Sequence, residues 1–265
     1  MSCSDNPVFV EVLSRLPASP RRAPPLLFVH GARHGAWCWD EHFLKYFAER
    51  GFASYAVNLR GRGLSSADKP QRLVRLSDFV ADVATAADPL HQPPILIGHG
   101  LGGFVVQKYL EGHYAPLAVL MASAPPCGNL AAAWRALGRS VATPAKAKAA
   151  LFSAYLPDDE AARYHAQLHN DSFVAQFEAL ALGAVRPHRI RAPLAVLGAE
   201  NDAMISRADV EATARRYGVQ PILLPGLAHD MMLDAHWRRA AACVLQEIEA
   251  RCQIPAAQTS IQRAA

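Results

Sequence analysis

The sequence predicts an α/β fold, a mostly parallel twisted sheet flanked by helices, and three observations predict it. Short apolar runs alternate with stretches of helical periodicity, the pattern of a parallel sheet covered by helices. One of those runs passes directly into a glycine-rich turn that opens a helix. The chain has 265 residues, 51% of them hydrophobic, enough for one large domain with a well-buried core.

Each element follows in order. Leu26-Leu27-Phe28-Val29 reads as a buried strand, and Trp39 to Arg50 as a helix closed by Gly51 at its C-terminal side. Ser54 to Val57 is the next strand and Leu76 to Ala87 the next helix. Ile95-Leu96-Ile97 is a central strand that runs into Gly98 and a helix from Gly102 to Leu110. Leu117 to Met121 is a further buried strand. From about Asn129 to Arg186 the sequence is rich in Ala and Leu, helix-forming and without a clear strand. Strands return at Leu194 to Leu197 and Pro221 to Leu224. The last helix, Trp237 to Ile248, places Trp237, Ala241, Val244, Leu245 and Ile248 on one face. The expected organisation is therefore a core of residues 1–128 and 187–265 with a helical cap of residues 129–186 inserted between two strands. The polar end, Pro255 to Ala265, is expected to fray.

Composition narrows the function. A net charge of +4 without a dense basic run gives no expectation of a nucleic-acid partner. No stretch approaches the ~20 apolar residues of a membrane span, and Ser4, Asp5 and Asn6 interrupt any apolar leader at the start. The cysteines Cys3, Cys38, Cys127, Cys243 and Cys252 are odd in number and contain no C-x-x-C pair, so reduced thiols in a cytoplasmic protein are expected. Cys38 and Cys127 read as small buried hydrophobes. No metal-ligand cluster or phosphate loop is present, and no metal or cofactor is expected. The oligomeric state is not legible.

The strongest local signal is Gly98-His99-Gly100-Leu101-Gly102-Gly103, which follows a strand and opens a helix, the setting of a nucleophile elbow. A dinucleotide loop is the competing reading, but the run sits in mid-chain and no acidic residue follows on a neighbouring strand in the expected place. His99 reads as structural, because the residue before the centre of such a turn points beneath it. Asp202 lies after the strand at Leu194, and His229 after the strand at Pro221. An Asp that accepts from one imidazole nitrogen fixes the tautomer and leaves the other nitrogen free as a base. Glu200 is the nearby rival for the acid.

On these motifs the chain resembles the α/β-hydrolase superfamily over nearly its whole length. That family places Ser, Cys or Asp at the centre of the elbow, where this chain has Gly100, which has no side chain. The resemblance implies that the amides of Ala32 and Leu101 form the oxyanion hole, since His30-Gly31-Ala32 is similar to the family's oxyanion loop. The run from His30 to Trp39 is close to the opening motif of the plant esterase and hydroxynitrile lyase branch. Asn58-Leu59-Arg60-Gly61-Arg62-Gly63-Leu64-Ser65 resembles a structural turn of the family, with Asn58 in place of its Asp. His34 and Trp37 are candidate pocket residues, with tying down the oxyanion loop and packing as the alternatives; Arg33 stays open, and Trp39 reads as packing.

Three functions follow. The first is an esterase, thioesterase or lactonase acting on a small apolar carbonyl substrate, its nucleophile replaced by descent or by design. The second is a nucleophile-free lyase, cyclase, isomerase or cofactor-free oxygenase that uses the same base and amides. The third is a non-catalytic binding protein. Apolar residues of the cap, among them Leu151, Phe152, Tyr155, Phe173, Phe177, Leu180 and Leu182, are expected to line the pocket or to form the cap's own core.

Overall fold

The computed structural model describes residues 8–127, 140–179 and 185–254. Cys3, Ser4 to Asn6, Asn129 at the start of the expected cap, Leu180, Leu182 and the end from Pro255 to Ala265 lie outside the described residues.

Seven strands form one sheet: β1 (Val12–Arg15), β2 (Leu26–Val29), β3 (Ser54–Val57), β4 (Ile95–His99), β5 (Ala118–Met121), β6 (Leu194–Ala199) and β7 (Pro221–Leu224). Their order is β1-β3-β2-β4-β5-β6-β7. Only β1 runs antiparallel, pairing with β3, and each other neighbouring pair is parallel. The central strands β2, β4 and β5 are buried along their whole length, which is why they read as unbroken apolar runs instead of alternating ones. Alternation still decides which face each residue joins. Leu26 and Phe28 enter one core, and Leu27 and Val29 enter the other.

The described helices α1 (Trp37–Asp40) and α2 (Phe43–Ala48) stand where one helix was expected. His42 separates them with φ −137° and ψ −51°, outside the helical region. Helix α3 (Leu76–Ala87) and helix α4 (Leu101–Tyr109) match the expected spans to within a residue. Between β5 and β6 the described chain forms α5 (Pro144–Leu151), α6 (Asp158–His165) and α7 (Phe173–Phe177). Buried residues of this insertion, among them Leu151, Phe152, Leu156 and Tyr164, join the same core as Phe28 and Met121. Helices α8 (Arg207–Tyr217) and α9 (Trp237–Arg251) complete the fold, the latter burying Ala240, Ala241, Val244 and Ile248.

Some expectations need correction. Tyr155, Phe173 and Phe177 are exposed at their side chains, so they form neither pocket nor cap core. Cys127 is exposed, and only Cys38 behaves as a buried hydrophobe; no cysteine among the described residues is paired. Among the described residues, no helix is long and apolar enough to cross a membrane.

Candidate active site

The parallel strands β2, β4, β6 and β7 all point their C-terminal ends the same way, and the loops leaving them meet there, where open α/β sheets bind ligands. The elbow links β4 to α4. Gly100 at its apex has φ 53° and ψ −118°, a left-handed conformation strained for any residue with a Cβ. Its amide donates to Met121 O at 3.0 Å, and Phe104 N donates back to Gly100 O at 3.3 Å. Leu101 is the first residue of α4, so its amide has no carbonyl within the helix to meet.

The glycines beneath the apex are there for packing. A Cβ on Gly98 would sit 2.7 Å from Gly103 Cα, one on Gly102 2.3 Å from His30 O, and one on Gly103 2.6 Å from Ser123 Cβ. Gly100 differs. A Cβ there would have His229 Nε2 as its nearest neighbour at 3.5 Å, an ordinary contact, and Gly31 Cα at 3.8 Å. The apex therefore has room for a side chain, and that side chain would face the imidazole.

His229 follows β7 in the chain, and Asp202 follows β6. His229 Nδ1 lies 2.9 Å from Asp202 Oδ2 and 3.1 Å from Oδ1. Asp202 Oδ1 also accepts from Met204 N at 2.7 Å and Ile205 N at 2.8 Å, which fixes the carboxylate. With Nδ1–H donating to the acid, Nε2 is left as the basic nitrogen facing Gly100. Burial opposes charge on His229, but the carboxylates of Asp202 and Asp230 outweigh it and raise its pKa above the ordinary imidazole value. Glu200, the rival acid, is exposed and its Oε2 accepts from Gly226 N at 3.4 Å, away from the imidazole's partner.

A second polar network lies beside this pair. Asp230 is fully buried, with His34 Nε2 3.0 Å from Oδ2 and His99 Nε2 3.7 Å from Oδ1. His34 Nε2 and Asp230 Oδ2 are thus in close polar contact. Burial alone would raise the Asp230 pKa, yet the imidazoles of His34, His99 and His229 hold it below the usual carboxylate value. His34 Nδ1 is 2.8 Å from Ala32 O, tying the imidazole to the oxyanion loop. His99 Nε2–H donates to His229 O at 3.0 Å, and burial, assisted by the neighbouring His229, pushes the His99 pKa down to about 3. His99 is thus a neutral prop beneath the base. His99, His229 and Asp230 each place a donor atom within 4.8 Å of the others, a set a transition metal could use. His99 Nε2 and His229 Nδ1 are already committed to the hydrogen bonds above, and a metal on His229 Nε2 would occupy the lone pair that the base needs.

The oxyanion loop is braced from β3. Asn58 Oδ1 accepts from Ala36 N at 2.7 Å, and Arg62 Nε donates to His34 O at 3.0 Å. Leu59 N donates to His30 Nε2 at 3.2 Å, and the His30 ring nitrogen Nδ1 reaches Gly31 O at 2.9 Å. Burial lowers the His30 pKa to about 3, which fits this neutral ring. Substituting Asn58 for the family's Asp leaves a brace, as a structural turn requires.

A cavity of about 70 Å³ joins these parts, lined by Ala32, His34, Gly100, Leu101 and His229, with Arg33, Leu151, Gln176, Ala179, Met204 and others around them. Both expected oxyanion-hole residues therefore face the same space as the base. Trp37 does not: it is stacked on Tyr164 at 6.1 Å between ring centroids and packs near His34 at 5.6 Å. Trp39 is fully buried against Phe28 and Phe43. Asp230 was missed in the sequence, although its place next to His229 was the available signal.

An elbow, a His–Asp pair and a braced oxyanion loop on this sheet define the class. The profile of the alpha/beta hydrolase family matches residues 26–242, and the chain belongs to that family. It is 37% identical over 90 residues to a pFDCC methylesterase of Arabidopsis thaliana, covering 32% of each chain. It is 35% identical over 106 residues to norfluorocurarine synthase 1 of Strychnos nux-vomica, covering 38% of each. These matches span about a third of the curated relatives' own length. In fold it is similar to a monoacylglycerol lipase of Paleococcus ferrophilus, at 17% identity and a TM-score of 0.70 over 92% of this chain and 99% of that one.

Proposed function

We propose that this chain is an esterase-type enzyme scaffold for a small, largely apolar carbonyl substrate, with its nucleophile position reduced to Gly100. The observation that carries the reading is the fit at the apex. A Cβ built on Gly100 lands 3.5 Å from His229 Nε2 and in conflict with nothing, while its neighbouring glycines admit none. The surroundings of a nucleophile are kept where the nucleophile itself is not. The name of the methylesterase relative supports the ester class.

The remaining groups support a slower chemistry. His229 Nε2 takes a proton from water, and the water oxygen bonds to the substrate carbonyl carbon. The Ala32 and Leu101 amides hold the developing oxyanion. Collapse breaks the bond to the alkoxide, which leaves with the proton from the imidazolium, giving an acid and an alcohol. Triads stripped of members retain roughly 10³–10⁴-fold over water from such features. The helices inserted between β5 and β6 act as the cavity's wall, with Leu151, Gln176 and Ala179 as their contribution.

The nucleophile-free reading ranks second. Gly100 favours it, and one relative is named a synthase. A pure receptor ranks third, since Asp202 and His229 are held in the geometry of a working base.

The test is hydrolysis of p-nitrophenyl acetate and butyrate by the unaltered chain and by Gly100→Ser. The unaltered chain is expected to run barely above background, and Gly100→Ser about 10³-fold or more faster. An unchanged rate in a folded Gly100→Ser protein favours the other two readings.

A further inference from the structure

Arg33 lies one residue beyond the oxyanion-loop alanine, and the cavity is lined by it. Its backbone has φ 68°, in the left-handed region that a residue with a Cβ enters at a cost. The surroundings hold it there from both sides. Arg33 N donates to Asp171 Oδ2 at 2.8 Å, and His169 N donates to Arg33 O at 2.9 Å. Asp171 is itself fixed by Arg62 Nη2 at 3.1 Å. A glycine would take this conformation freely, whereas this position carries an arginine.

The Arg33 guanidinium has no hydrogen-bond or ion-pair partner among the described residues. Of the segments outside the described residues, 128–139, 180–184 and 255–265 contain no Asp or Glu, and 1–7 contains Asp5. Gln176, on α7, lines the same cavity, and its side-chain amide likewise has no partner among the described residues. The rest of the lining named above is mostly apolar and contains no carboxylate, so Arg33 is the cation that the cavity presents.

We propose that Arg33, with Gln176, is a recognition site for an anionic group on the substrate, making the substrate a carbonyl compound, such as a half-ester, that bears a carboxylate or a similar anion. This rests on reading the cavity as an ester site. A guanidinium presents paired N–H donors that match a carboxylate, and the Gln176 amide adds a neutral donor. The apolar lining then holds the carbon chain between the anion and the reacting carbonyl.

The test is calorimetric titration of the unaltered chain, which lacks a side chain at position 100, with monomethyl glutarate and dimethyl glutarate. The half-ester is expected to bind roughly tenfold or more tightly than the diester. That preference is lost in Arg33→Gln, largely kept in Arg33→Lys, and shrinks as salt is raised. Equal binding, no binding of either ester, or a preference that survives Arg33→Gln overturns the proposal. If Arg33→Gln fails to fold, a preference in the unaltered chain that is insensitive to salt overturns it. The ester reading fails separately. Should Gly100→Ser hydrolyse neither the p-nitrophenyl half-ester of glutaric acid nor p-nitrophenyl butyrate, that reading is lost, while the binding ratio still decides the role of Arg33. Should it hydrolyse both with no preference for the half-ester, the role of Arg33 is lost and the ester reading stands.

Discussion

Two loops meet at the cavity, each with a residue in the left-handed backbone region, and they fill it with opposite residues. The elbow has Gly100 at φ 53°, and the oxyanion loop has Arg33 at φ 68°. At Gly100 a side chain would fit and face the base, yet none is present. At Arg33 the largest of flexible side chains is carried on a backbone that resists it. Strain at a binding site persists only when its surroundings over-determine it. Asp171 and His169 do that for Arg33, and the elbow does so for position 100 through Met121 O and the start of α4. The difference teaches that the apex glycine answers to its backbone conformation, with space left for a side chain, whereas the glycines beneath it answer to packing.

The largest expected effect breaks the steric half of that contrast. Gly102→Ala drives a Cβ into His30 O at 2.3 Å and Val29 O at 2.4 Å, both backbone atoms that cannot rotate away. Its cost in urea unfolding should reach or exceed about 3 kcal/mol. Asp230→Asn comes next, because it leaves the buried imidazoles of His34 and His99 without their carboxylate. A loss of about 3 kcal/mol is expected, with the acid limb of any His229-dependent rate moving to lower pH. Gly100→Ala should cost about 1–3 kcal/mol from strain alone and give no gain in activity over the unaltered chain. A loss as large as that of Gly102→Ala would show that the apex is as crowded as its underside.

Acid should destabilise the fold through His30 and His99. Both titrate near pH 3 in the folded chain. An unfolded imidazole titrates near about 6.5, so between those values the unfolded chain binds more protons. Stability measured by thermal melting should therefore fall as pH drops through this window. His229 acts with the opposite sign, since its raised folded pKa adds stability that is lost as pH rises through it. The smallest effect sharpens the other half of the contrast. Arg33→Gly should relieve strain and alter stability by no more than about 1 kcal/mol, in the stabilising direction. A marked loss would mean that the Arg33 side chain packs the loop.

The sheet was legible because its central strands are buried on both faces and read as continuous apolar runs. Strand β1 was not, because its sequence, Val12-Leu13-Ser14-Arg15, lies at an edge and is only half buried. Helix α8 escaped notice because Val210, Thr213 and Ala214, with Asp209, are its only buried residues. Its capping box, Ser206 with Asp209, was a readable signal. Gly100, Asp202 and His229 were legible as an ordered set, each placed after a strand, β4, β6 and β7 in turn. The contact of Asp230 with His34 was not, since it joins loops from opposite ends of the chain.

The central claim is that position 100 is a nucleophile's place with its partners intact. Reaction of Gly100→Ser with a fluorophosphonate probe, followed by mass spectrometry, tests it most directly. A single adduct at position 100 is expected, absent from the unaltered chain and lost when His229→Ala is combined with it. A folded Gly100→Ser protein that takes no adduct, or one whose labelling is indifferent to His229→Ala, would contradict the account.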